Sequence, residues 1–176
     1  NSPVAGGLAR LEGGVWRAYS TRDGLVHNSI NHITQDRDGA LWVAAGFASR
    51  GGASRLLDGR WTKVTRQDGL AGEKVRSIFE DRFGRLWFGS EYDGLAVRDR
   101  NHWSVSTPKT GLAGWEVRDI VQDPDDVIWL ATENGVSRIA QLDGAPMQAG
   151  QAASGQARSV VVYTSVDQVY SEPILR

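Results

Sequence analysis

An aspartate-led turn followed by a tryptophan appears three times in this chain: "DRDGALWVAA" from Asp36, "DRFGRLWFGS" from Asp81 and "DPDDVIWLAT" from Asp123. The aspartates lie 45 and 42 residues apart, and Trp42, Trp87 and Trp129 keep that spacing. A unit repeated at this period constrains the fold more than any single residue does, because no such unit can bury its apolar face alone.

The segments inside each unit are β-prone. Each opens with a short strand over 30–35, 75–80 or 117–122, and a tight turn follows with the aspartate at its start. Gly39 and Gly84 take the turn position that needs positive φ, and Asp126 holds it in the third copy. Next come "ALWVA", "RLWFG" or "VIWLA", rich in β-branched and aromatic residues, and then a polar loop with Gly52, Gly94 or Gly135 opening a third strand. "RWTKV" and "HWSVS" supply a fourth strand with Trp61 and Trp103. No segment sustains a 3.6-residue apolar period, so the repeats are all-β.

Four short antiparallel strands per 40–45 residues are the pattern of propeller blades. The predicted fold is therefore a partial β-propeller over residues 1–140, with about three to four blades. Trp16, Trp42, Trp61, Trp87, Trp103 and Trp129 recur at fixed slots and are expected to pack between blades. Gly7–Leu11 and Val15–Tyr19 match a third and a fourth strand, so the chain enters mid-blade. After Gly135–Ile139 the fourth strand is missing, with Pro146 where tryptophan should stand. Thirteen strands result, and the chain reads as a fragment preceded by further blades.

Composition narrows the function classes. A net charge of −1 gives no reason to expect nucleic acid or an anionic membrane, and no apolar run is long enough to span a bilayer. The absence of cysteine excludes disulfides, thiolate metal sites and a cysteine nucleophile. His27, His32 and His102 fall in three different slots with no metal-ligand spacing. "DRDG" matches only the start of a calcium loop and reads as a hairpin turn. No metal, cofactor or catalytic set is expected.

"DGLVHNSINHITQDRDGALWVAA" and "QDGLAGEKVRSIFEDRFGRLWFGSEYDGLAVRD" resemble two-component regulator propeller repeats, over roughly residues 6–140. The third copy departs from the pattern, with Thr110 for the aspartate of "DGL" and "DPDD" for the glycine turn. The resemblance implies a non-enzymatic, periplasmic sensor domain of a bacterial signalling protein, facing a small-molecule or glycan ligand.

With the first strand of each unit innermost, a ligand meets two sets of loops. These are "TRDGLVHNS", "RQDGLAGEK" and "KTGLAGWEV" before the first strand, and "AGFASRGG", "SEYDG" and "TENG" after the second. Packing demands alike residues at every repeat and a ligand does not, so candidates are the slots that differ. Those slots hold Asn28, Glu73 and Trp115, then Ser29, Lys74 and Glu116, with His27 beside them. Trp115 has no counterpart and is either an aromatic platform for a flat ligand or a cover for its own loop. Arg76 and Arg118, with Asn31 as third equivalent, either attract an anion or make an ordinary polar channel lining. A propeller lyase with a His and metal site on this face, or a protein-interaction scaffold, are the alternative functions.

The tail changes composition. Residues 141–158 are rich in Gly, Ala, Gln and Ser, as in a flexible linker. "SVVVYTSVDQVYSEPILR", residues 159–176, resembles the opening strand and loop of iron-type periplasmic solute-binding proteins of ABC importers. That resemblance implies the start of a truncated α/β domain, with Thr164, Ser165 and Asp167 on a ligand loop. The alternative is a strand that docks on the propeller and closes its last blade.

Overall fold

The β-prone segments pair antiparallel with their neighbours in the chain, and within the repeat short turns join most of them. In a computed structural model, which describes residues 6–139 and 160–163, fourteen strands form four antiparallel sheets. A half-blade contains β1 (Leu8–Glu12) and β2 (Val15–Tyr19). Blade 1 contains β3 (Ile30–Gln35), β4 (Leu41–Phe47), β5 (Arg50–Leu57) and β6 (Arg60–Val64). Blade 2 contains β7 (Val75–Glu80), β8 (Leu86–Ser90), β9 (Leu95–Asp99) and β10 (His102–Ser106). Blade 3 contains β11 (Val117–Gln122), β12 (Ile128–Thr132), β13 (Gly135–Ile139) and β14 (Val160–Tyr163). The first strands β3, β7 and β11 approach one another in series, so they form the hub.

Two differences from the sequence reading concern hairpins. In blade 1 the pairing of β4 with β5 extends to Phe47 opposite Arg50, so the loop expected over "AGFASRGG" shrinks to Ala48 and Ser49. The fourth strand missing from blade 3 is β14, paired antiparallel with β13 from Ile139↔Val160 to Val136↔Tyr163. Its backbone thus takes the docked position that was the alternative for the tail. Residues 141–158 and the loop residues Thr164, Ser165 and Asp167 lie outside the described residues.

One aspartate per unit organises the turn. Oδ1 of Asp36 accepts from the backbone N–H groups of Asp38 (3.1 Å) and Ala40 (2.8 Å), while Oδ2 accepts from Trp42 Nε1 at 2.8 Å. Asp81 repeats this with Phe83, Arg85 and Trp87 Nε1 (2.9 Å), and Asp123 with Asp125, Val127 and Trp129 Nε1 (2.8 Å). The position that follows in each turn has φ of 82° at Gly39 and Gly84 and 64° at Asp126, which explains the glycine preference.

Blades are joined by apolar cores and by side chains that reach across. Trp42, Val64, Leu70, Val75 and Phe88 belong to the core between blades 1 and 2; Trp87, Leu95, Leu112, Val117 and Leu130 belong to that between blades 2 and 3. Trp42 meets Phe88 edge-on at 5.4 Å. At the turn end, Arg37 bonds Glu80 and the Asp81 carbonyl, and Arg82 bonds Asp126 and the Pro124 carbonyl. Pro124 stands in the slot of these arginines and ends the series.

The "DGL" segments hold each entry loop. Leu25, Leu70 and Leu112 are buried. Oδ2 of Asp23 accepts from the N–H and hydroxyl of Ser20, and Oδ2 of Asp68 does the same for Thr65. Thr110 fills this slot by accepting from Thr107 N–H at 2.8 Å, so the third copy's departure is chemically conservative. Gly69, at φ 125°, lies where a Cβ would come within 2.4 Å of Trp103 Cγ.

The expected inter-blade role holds for Trp42 and Trp87, which are fully buried, and for Trp103, which packs on the first core. Trp61 lies edge-on to Tyr19 of the half-blade. Trp16 is 68% exposed, because among the described residues nothing stands on its side of the half-blade. Ile33 is 45% exposed because it faces only the two-stranded half-blade, with which it lines an open depression, whereas its equivalents Ile78 and Ile120 are buried between blades.

Asp81 is fully buried and also ion-paired with buried Arg85 (2.6 Å). Asp81→Ala removes the buried carboxylate that pairs with that guanidinium and accepts from the turn and from Trp87, and should lower unfolding stability by about 3–5 kcal/mol. Asp123→Ala, in a more open turn, should cost clearly less. Urea unfolding of both variants checks the order.

Candidate functional site

The loops preceding the first strands and those linking second to third strands gather at one end of the sheets, and nearly every sequence candidate is there. Each first strand has a β-bulge at the same place, between Ile30 and His32, Val75 and Ser77, and Val117 and Asp119. The residues passed over are Asn31, Arg76 and Arg118. A bulge re-aims the side chain it displaces, which places these three at the rim of the hub.

What they meet differs by repeat. Asn31 Nδ2 donates to the Val75 carbonyl of the next blade at 2.7 Å, a structural tie. Arg76 Nη2 donates to Glu116 Oε1 at 3.0 Å, and Arg118 Nη2 donates to Glu116 Oε2 at 2.9 Å. Arg76 Nε is also 3.5 Å from Glu91 Oε2, against which the Lys74 ammonium sits. A chain of alternating charge, Lys74–Glu91–Arg76–Glu116–Arg118, therefore crosses from blade 2 to blade 3. The arginines are neutralised by glutamates, which weakens the anion-attracting reading.

Burial alone pushes the Glu91 carboxyl up, but hydrogen-bonding contact with Lys74 and Tyr92 and the Lys74 and Arg76 charges outweigh it and hold it below the usual glutamate range. The same contact with Glu91 raises the Tyr92 phenol above its ordinary value.

Beside this chain lies an open depression of about 540 Å³, lined by Glu91, Tyr92, Asp93, Trp115, Glu116 and Glu133. Tyr92 and Trp115 are exposed there, at 57% and 39%. The Trp115 backbone is fixed from both sides: its N–H donates to Glu133 Oε1 and its carbonyl accepts from Gly94 N–H, both at 2.8 Å. A second depression, between blades 1 and 2, is lined by residues including Glu73, Lys74, Tyr92 and Asp93.

Of the sequence candidates, Trp115, Glu116, Lys74, Arg76 and Arg118 are thus brought together, and Glu73 faces the neighbouring depression. Asn28 and His27 are not part of this group. Asn28 Oδ1 accepts from Thr21 N–H and His27 Nδ1 accepts from Ser29 N–H, at 2.8 and 2.9 Å, so both are spent on their own loop. Tyr92, Glu91, Asp93 and Glu133 were not singled out. They occupy the second loop set, and the signal was available: four and five positions after the repeated tryptophan, the three copies hold Gly46, Glu91 and Glu133, then Phe47, Tyr92 and Asn134. Among the described residues no group of three or more His, Cys, Asp or Glu side chains is placed to hold a metal ion. Nor is any described helix long and apolar enough to cross a membrane.

Residues 24–46, 69–92 and 113–134 match the family described as "Two component regulator propeller". The first two matches open on the Gly-Leu of "DGL" and the third just after Leu112, and all three run through the tryptophan strand. The structure is similar to the extracellular domain of a protein described as the hybrid two-component system BT3049 of B. thetaiotaomicron. Identity is 22% and the TM-score 0.60, over 71% of this chain and 18% of that one. The extracellular domain described as that of the one-component system BT4673, from the same organism, matches at 21% identity and a TM-score of 0.63, over 91% of this chain and 22% of that one. This chain spans about a fifth of the length of those two. Curated proteins yield no match.

The depressed Glu91 carboxyl has a consequence for pH. It contributes stability that is present above the ordinary glutamate value of 4.5 and is lost as pH falls through the lower folded value. Unfolding stability followed from about pH 5 downward should therefore decline less in Glu91→Gln than in the parent. An unchanged slope would mean that the charge chain does not form.

Proposed function

We propose that this chain belongs to the extracytoplasmic sensing region of a bacterial signalling protein. On this reading it recognises a small ligand through the loop face between blades 2 and 3, without transforming it. One observation carries the reading. Of the recurring tryptophans, Trp42, Trp87 and Trp103 spend themselves on packing, whereas Trp115, which does not recur, is held by its backbone at the edge of a depression with its ring exposed. Tyr92 adds a second exposed ring, and aromatic faces with convergent polar groups are what flat or ring-shaped ligands stack on.

The presence of two-component regulator propeller repeats supports the signalling context, and the extracellular domains that share the fold support a periplasmic or surface location. The pairing of β14 with β13 favours a tail that completes blade 3 over one that opens a solute-binding domain. Glycans and other uncharged ring compounds fall within the ligand range of such a face.

Tryptophan fluorescence of the chain, titrated with a panel of saccharides, amines and carboxylates and with a small-molecule fraction of the native periplasm, tests this. At least one ligand should give a saturable change that Trp115→Ala reduces about tenfold or more, a loss of some 1.4 kcal/mol, while thermal stability stays within a few degrees. A response that survives in Trp115→Ala, or none from any source, would sink the reading.

A further inference from the structure

The two depressions on the loop face occupy equivalent places in successive repeats, and the chain's own Lys74 lines one of them. Between blades 1 and 2 the Lys74 ammonium lies 6.0 Å from the Phe47 ring centroid and 5.7 Å from that of Tyr92, with Glu91 as its counter-charge. Two exposed aromatic rings and a carboxylate hold an ammonium there, which is the arrangement expected for cation–π recognition.

Advancing one repeat replaces each part. Phe47 becomes Tyr92, Tyr92 becomes Asn134, Glu91 becomes Glu133, and Lys74 becomes Glu116. One aromatic and the carboxylate are retained, and the second ring and the built-in ammonium are lost. Trp115, in the slot of Glu73, adds a ring where the neighbouring site has none. The depression between blades 2 and 3 therefore has the walls of an ammonium site without the ammonium.

Charge points the same way. Its carboxylates are Glu91, Asp93, Glu116 and Glu133, and the cations paired to them are Lys74, Arg76 and Arg118. Among the described residues Asp93 and Glu133 make no ion pair. Glu133 is occupied by the N–H groups of Trp115 and Glu116 and by Asn134. Asp93 has only the Ser90 hydroxyl at 3.4 Å, leaving its carboxylate with acceptor capacity toward both depressions, which it lines together with Tyr92.

We propose that this depression binds the alkylammonium group of a small organic cation, against Tyr92 and Trp115 and with Asp93 as counter-charge. The proposal rests on the loop-face reading above and specifies its ligand class.

Choline and its uncharged carbon isostere, 3,3-dimethyl-1-butanol, are suitable probes, with butylammonium as a primary amine and methyl glucoside as an uncharged ring. Binding is followed by the indole and amide NMR signals of the whole chain. At least one of the two ammonium probes should shift the Trp115 and Tyr92 signals saturably, and choline should bind about tenfold more tightly than the isostere. Asp93→Asn should weaken ammonium binding severalfold and leave the isostere unaffected; Trp115→Ala should weaken both, with the buried Trp87 indole signal unmoved as the check on folding.

Equal binding of choline and the isostere would overturn the cation class while sparing the loop face. So would a Trp115 shift with methyl glucoside and none with either ammonium. Ammonium binding unaffected by both variants would place the site elsewhere and overturn the proposal. No shift from any of the four probes would overturn the proposal and leave the loop-face reading to the periplasmic fraction.

Discussion

In each repeat a single aspartate carboxylate performs two tasks. One oxygen closes the turn by accepting two backbone N–H groups, and the other accepts the indole N–H of the tryptophan that enters the next strand. A buried indole needs a partner for its N–H, and a buried carboxylate needs donors. Because the two satisfy each other locally, Trp42 and Trp87 can be fully buried without any polar group from the neighbouring blade. The interface between blades is left free for apolar packing, which is why one pattern can be stacked repeatedly. In the third copy the bond lies in a less enclosed turn, and hydrogen bonding from Trp129 holds the Asp123 carboxyl below the usual aspartate value.

That economy separates structure from recognition along the chain. The turn end carries the repeated Asp–Trp pairs and the arginine clamps, and it differs little between copies. The opposite end carries the bulged residues and the two loop sets, and there the copies diverge from one another: Asn31 against Arg76 and Arg118, Phe47 against Tyr92 and Asn134. Bulges at one fixed place put a variable side chain on a constant backbone. The scaffold therefore tolerates change at the hub rim without loss of register, since each strand's pairing resumes one residue later.

Strand positions were legible in the sequence because apolar alternation, the Asp–Gly turns and the repeat all agree. The first strands 30–35, 75–80 and 117–122 stand where they were read. Exposure was less legible. Trp16 occupies a repeat slot, and only three-dimensional neighbours decide whether a slot is covered. β14 was readable as a strand from "VVVY", but its pairing with β13 is a contact across an intervening stretch without a repeat match, and no local pattern encodes it. Within the site, Trp115 stood out as a tryptophan without a counterpart. His27 and Asn28 shared its loop but are consumed by turn hydrogen bonds, a distinction that residue type does not carry. Tyr92 and Glu91 lie in a polar loop without strand or turn signature, and only comparison of the copies, with Phe47 and Asn134 or Gly46 and Glu133 in the same slots, sets them apart.

The account divides the tryptophans into those fixed by aspartate and packing and those left for other work. Hydrogen exchange of the seven indole N–H groups, resolved by two-dimensional NMR, tests that division most directly. Trp42 and Trp87 should exchange slowly, at rates governed by opening of the blades, and Trp16 and Trp115 should exchange within seconds. Fast exchange at Trp42 or Trp87, or protection of Trp115 without ligand, would contradict it.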